Sequence, residues 1–126
     1  MFATLCFLVF SYLSGVLEGY FWASRPKVKQ LSSHAMLTLI RMCVALPILW
    51  YEGFWNVVFC VLVFPFIHDG AYYVTRNNIN PSIYKKRWFD SSLTTGAIIS
   101  FNAFERTAFA LIGLSTFVIY NILKSY

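Results

Sequence analysis

Glu18, Arg41, Glu105 and Arg106, together with His34, His68 and Asp69, interrupt otherwise apolar stretches of the sequence. An ionisable side chain held at bilayer depth costs about 2.5–3.5 kcal/mol on insertion scales, so each of these needs a partner or a task. Glu18 stands shortly before the end of the first apolar run and Arg41 shortly after the start of the second. That spacing puts both about 10 Å inside the same boundary at about 1.5 Å per helical residue. If the last run enters the hydrocarbon near Ala97, Glu105 and Arg106 reach a similar depth. The four make an expected buried charge layer of zero net charge. Such a layer either fixes which helix lies against which or provides an ion or proton pathway through Glu18.

A second polar cluster is expected nearer the cytoplasm, built from His34, His68, Asp69, Tyr72, Arg76 and Asp90. His34 and His68 lie at similar distances from the Glu52-Gly53 dipeptide, so antiparallel pairing across that turn brings them to similar heights. Two histidines on neighbouring helices suit a haem iron or, with Asp69 or Glu18, a zinc or iron ion. No HExxH, CxxCH or paired Glu-x-x-His motif is present, so a chain without cofactor is the first expectation and haem or metal through His34 and His68 the alternative. The hydroxyl run Ser91, Ser92, Thr94 and Thr95 beside Asp90 reads as helix capping. An enzyme acting on a lipid headgroup with His68 and Asp69 as its acid-base pair is a further option, ranked below a non-enzymatic role.

The elements that must hold these groups follow from composition. Of 126 residues, 59% are hydrophobic and 12% charged, against about 25% charged in ordinary soluble domains. Lipid is therefore the main solvent, and a soluble fold with a basic nucleic-acid face is excluded despite the formal charge of +5. Apolar runs over about 2–23, 33–51, 54–73 and 94–123 predict one all-α membrane domain, a bundle of about four transmembrane helices with short loops. The start of the chain has no basic residue before its apolar run, and Phe21-Trp22-Ala23 is a poor cleavage site, so that run is expected to be a retained span. Pro47 and Pro65 predict bends. Ser11, Ser14, Gly15, Glu18 and Trp22 recur at three- and four-residue steps and mark an inward face with small residues for close approach. Cys6, Cys43 and Cys60 stand singly in apolar surroundings and read as small hydrophobes.

Arg25, Lys27 and Lys29 lie in the first connection (24–31) and Arg76, Lys85, Lys86 and Arg87 in the third (75–91), whereas the middle connection has no basic residue. The positive-inside bias then places both basic loops in the cytoplasm and both termini on the non-cytoplasmic side. Lys85, Lys86 and Arg87 next to Trp88 suit contact with anionic headgroups or an acidic partner.

In length, span count and the carboxylate of YLSGVLEGY the chain resembles the small multidrug exporters, which would make Glu18 a proton-coupled acid. It departs from them at Arg41, Glu105 and Arg106, and no family is assigned on this ground. The functional expectation is first an accessory or assembly subunit of a membrane complex, because 20% aromatic residues supply wide lipid- and partner-facing surfaces. A homo-oligomeric channel or carrier with Glu18 in its pathway comes second. Expected partners are the lipid bilayer and other membrane chains or further copies of this one, with no nucleic acid.

Overall fold

The computed structural model describes residues 1–24, 31–84 and 101–126, excluding the side chains of residues 31–35 and Ala103. The described residues form four α-helices, α1 (Phe2–Ser24), α2 (Leu31–Tyr51), α3 (Phe54–Ile79) and α4 (Ala103–Lys124). No strand occurs among them. By length and composition α1, α3 and α4 are each able to cross a membrane. The described apolar part of α2, Met36–Tyr51, is shorter.

Helix α3 is the hub. It runs parallel to α1 and antiparallel to α4, while α1 and α4 do not meet among the described residues. The α1 seam is close because Gly15 and Gly19 lie directly on the α3 backbone. A Cβ at Gly15 would overlap the carbonyl oxygen of His68, and one at Gly19 would sit 2.7 Å from that of Tyr72. Such close approach lets the two backbones gain van der Waals contact along the seam. On the other side Gly113 of α4 faces Leu62 and Val63, and the Phe59 and Phe117 rings meet at 4.6 Å. The buried face of α1 (Thr4, Phe7, Ser11, Gly15, Glu18, Trp22) follows the predicted small and polar stripe.

Helix α2 is held differently. Glu52 and Gly53 turn the chain as the sequence suggested, and the Gly53 amide reaches back to the Ile48 carbonyl at 3.0 Å. Its φ of +92° is open to glycine and strained for other residues. Beyond that turn, however, α2 leans on α1 and α3 through few residues, and Ile48 is its one buried side chain among residues 36–51. The expected tight α2–α3 hairpin is therefore tight at its turn and open along its length. Helix α2 contains no glycine that could bring its backbone onto α3 as Gly15 and Gly19 bring α1.

Two helix ends differ from the spans expected. Helix α3 continues six residues beyond Tyr73 to Ile79, because Arg76 lies under the Tyr72 and Tyr84 rings, 4.9 and 3.9 Å from their centroids, and keeps this polar turn helical. Helix α4 starts at Ala103, with Asn102 as N-cap in a reciprocal capping box with Glu105.

Candidate functional site

Five ionisable side chains from all four helices meet in one layer inside the bundle. Glu18 of α1 is ion-paired with Arg41 of α2, and its Oε1 lies 3.0 Å from Nε2 of His68 on α3. The other imidazole nitrogen, Nδ1, is 3.0 Å from Oδ1 of Asp69, whose second oxygen is 3.3 Å from Nε of Arg106 on α4. Arg41 Nη2 also stands 2.9 Å from His68 Nε2. The result is an unbroken line, Arg41–Glu18–His68–Asp69–Arg106, crossing the bundle from α2 to α4.

The neighbours of this line are apolar on both sides. Phe7, Ile48, Phe59, Cys60 and Val63 form a cluster toward the Glu52 turn, and Trp22, Tyr72 and Tyr73 form another toward the far end of α3. Glu18 is 8% exposed, His68 5% and Arg106 1%. In such surroundings charges keep their form only when paired and hydrogen-bonded, and the line supplies each with an opposite charge. Arg106 needs its partner most. It lies in the first turn of α4, where the positive end of the helix dipole disfavours a cation. Asp69 offsets this, and the Tyr73 ring lies 4.9 Å from the guanidinium carbon.

The two layers expected from the sequence thus merge into one. His68 is expected near the end of a span closing at Tyr73, but α3 runs to Ile79, so His68 lies about 9 Å further from the helix end than that span implied. It reaches Glu18 and Arg41 rather than a separate cytoplasmic cluster. Tyr72 and Arg76 remain together beyond the layer, with Arg76 Nη1 donating to Tyr72 Oη at 3.1 Å. Glu105, expected in the charge layer, serves elsewhere: its carboxylate accepts from the Asn102 amide at 2.8 Å and its own amide donates to Asn102 Oδ1 at 2.9 Å. The physical cause is the later start of α4, which puts Glu105 in the first turn, where free amides attract a carboxylate. The side chain of His34, and Asp90, Lys85, Lys86, Arg87 and Trp88 entirely, lie outside the described residues.

Of the two histidines expected as haem or metal ligands, only His68 has its surroundings among the described residues, since the His34 side chain lies outside them. Both His68 ring nitrogens are occupied by protein groups, and no three His, Cys, Asp or Glu side chains among the described residues are grouped as a metal site. What the line can do chemically is bind, pass or release a proton, since imidazole lies between two carboxylates and can donate to either.

Sequence reasoning missed a second carboxylate site at the other end of the bundle. Glu52, in the α2–α3 turn, accepts from the backbone amides of Ala3 at 2.6 Å and Thr4 at 3.1 Å, and from the Thr4 hydroxyl. The Met1 amino group is 2.6 Å away. Burial works to raise this carboxyl, but the hydrogen bonds from the amino group, Thr4 and Ala3 outweigh it and bring its pKa to about 2. The signal was present: α1 has no acidic residue in its first turn, so its free amides needed an acceptor from elsewhere in the chain.

No family model, curated protein or solved structure matches this chain.

Proposed function

We propose that this chain is a multi-pass integral membrane protein acting as a homo-oligomeric, proton-coupled channel or carrier for an ion or small solute, with Glu18 in its pathway. The observation that carries this reading is the Glu18–His68–Asp69 line, an acid–base–acid sequence of hydrogen-bonding groups inside an apolar bundle. Ionisable groups at that depth are costly, and proton relays of alternating carboxylates and imidazoles are one of the tasks that justify them. Four helices enclose little space, so in this reading the solute path is completed between copies while the proton line lies within each. In this reading the basic connections face the cytoplasm, both termini face the other side, and the 85–88 segment meets anionic headgroups.

The test is uptake into proteoliposomes driven by a proton gradient. Glu18→Gln removes the first acid of the line while keeping its size, and proton-driven uptake should fall at least tenfold. Uptake indifferent to Glu18→Gln removes this reading.

The accessory-subunit reading is favoured by a different feature, the outer side of α2. Met36, Leu39, Met42, Leu46, Trp50 and Tyr51 are exposed there on a helix that the described residues hardly cover, which suits a neighbouring membrane chain as well as lipid. Native mass spectrometry after mild extraction separates the two: other chains in the spectrum support the subunit, and copies of this chain alone support the carrier.

A further inference from the structure

We propose that His68 and Arg41 form a proton-operated latch that holds α2 against the bundle when the imidazole is neutral and releases it when the imidazole takes a second proton. The inference rests on the proton-coupled reading above and adds the moving part. It starts from a conflict at one atom. His68 Nε2 has two neighbours, Arg41 Nη2 at 2.9 Å and Glu18 Oε1 at 3.0 Å, and their demands are opposite. A guanidinium only donates, so Arg41 needs a lone pair on Nε2; an ionised carboxylate only accepts, so Glu18 needs a hydrogen there.

Each protonation state satisfies one neighbour. In the neutral ring the hydrogen is on Nδ1, shared with Asp69, and Nε2 accepts from Arg41. A second proton must go to Nε2. It then donates to Glu18 Oε1, the same oxygen that Arg41 Nη2 holds, so the imidazolium competes with Arg41 for that carboxylate, the bond from Arg41 to Nε2 is lost, and two cations face each other across the former hydrogen bond. The charges around the ring come from every helix: Glu18 from α1, Arg41 from α2, Asp69 from α3 and, through Asp69, Arg106 from α4. With a neutral ring these four sum to zero, and the second proton leaves one surplus positive charge in an apolar layer.

Arg41 is the member free to leave. Its side chain is 20% exposed against 1% for Arg106, and a long cationic side chain can carry its head toward the interface. Apart from Glu18 and His68 it touches the layer through the face of Phe64, 4.9 Å from the ring centroid. Among the described residues α2 is fixed mainly at its Tyr51 end, by the Glu52-Gly53 turn and by Ile48 with Val44 and Ala45 against the apolar cluster, all C-terminal to Arg41. Release of Arg41 lets the remainder of α2 swing about that end and opens Glu18 to the side from which α2 starts. The proton thereby changes access to the acid that binds it.

The latch is tested by pulsed electron paramagnetic resonance on the full chain in lipid nanodiscs between pH 5 and 9. Spin labels go on Met36→Cys of α2 and Phe104→Cys of α4, both exposed, with Cys6 and Cys43 replaced by serine. The latch predicts two distances, the longer gaining about tenfold over the shorter per pH unit below one midpoint. His68→Gln should abolish this dependence, and Arg41→Gln should give the longer distance at every pH. A single distance at all pH values overturns the latch, as does unchanged pH dependence in either variant; if His68→Gln fails to fold, Arg41→Gln decides alone. A fixed distance with proton-driven uptake intact removes the latch and leaves the carrier, whereas a moving α2 without uptake does the reverse.

Discussion

Two carboxylates, Glu52 at the α2–α3 turn and Glu18 in the interior layer, are satisfied in opposite ways. Glu52 is surrounded by backbone amides, a hydroxyl and an amino group at the start of α1. Those donors, the amides above all, stay donors at any pH near neutrality, so Glu52 has one arrangement and its effect is to fasten the turn to α1. Glu18 is surrounded by a guanidinium and an imidazole, and the imidazole changes its role from acceptor to donor with one proton. A carboxylate fixed by backbone can only hold, whereas one shared with a titratable side chain can hold and switch.

The comparison is broken most severely at Glu18. Glu18→Leu leaves Arg41 without its carboxylate inside the bundle, and the loss should be about 3–5 kcal/mol, seen as a large drop in thermal midpoint in detergent. The double variant Glu18→Leu/Arg41→Leu should recover much of that loss, because the stranded charge is gone. Gly15→Ala comes next. Its methyl group overlaps the His68 carbonyl and pushes α1 off α3, costing about 1–3 kcal/mol and weakening the Glu18–His68 contact with it. A loss equal to that of an alanine placed on the outer side of α1 would show that the seam is not close-packed.

Smaller effects sharpen the contrast. Asn102→Ala removes the cap that keeps Glu105 out of the charge layer and should cost about 1 kcal/mol in the same unfolding assay, with proton-driven uptake unchanged. Glu52 should give the smallest change. Its pKa is about 2 in the folded protein against an ordinary 4.5, so its contribution is complete above the ordinary value and is lost as pH falls from there through about 2. Thermal midpoints of the wild type should therefore show an acid-dependent decline that Glu52→Gln lacks. At neutral pH that substitution should cost about 1 kcal/mol or less, because glutamine keeps a side-chain oxygen able to accept from the Ala3 and Thr4 amides. An equal decline in both proteins would show that Glu52 has no part in it.

Much of the fold was legible before the structure was known. The limits of α1, the end of α2 and the start of α3 fall where apolar runs meet Ser24, Tyr51 and Gly53, because long apolar runs give way there to charged or turn-forming residues and composition marks those boundaries. The small and polar stripe of α1 was likewise visible as a three- and four-residue period. Less legible were the far end of α3 and the beginning of α4. Tyr72, Arg76, Asn77 and Asn78 read as loop by polarity, yet Arg76 stays helical by lying against aromatic rings. Asn102 and Glu105 formed a capping pair only once the helix began there.

For the candidate site the division is sharper. Residue types alone determined that Glu18, Arg41, His68, Asp69 and Arg106 could not stand isolated in an apolar layer, because the cost of an unpaired charge in hydrocarbon depends on chemistry and not on arrangement. Which partner each takes was decided only in three dimensions. Depth counted along a sequence carries the error of every helix end, and six further residues in α3 moved His68 from one expected layer into the other. Pairing also depends on which helices touch, and that was set by the glycines that bring α1 onto α3 and leave α2 apart. A charge announces its need for a partner in the sequence, but the partner is chosen by which backbones can approach.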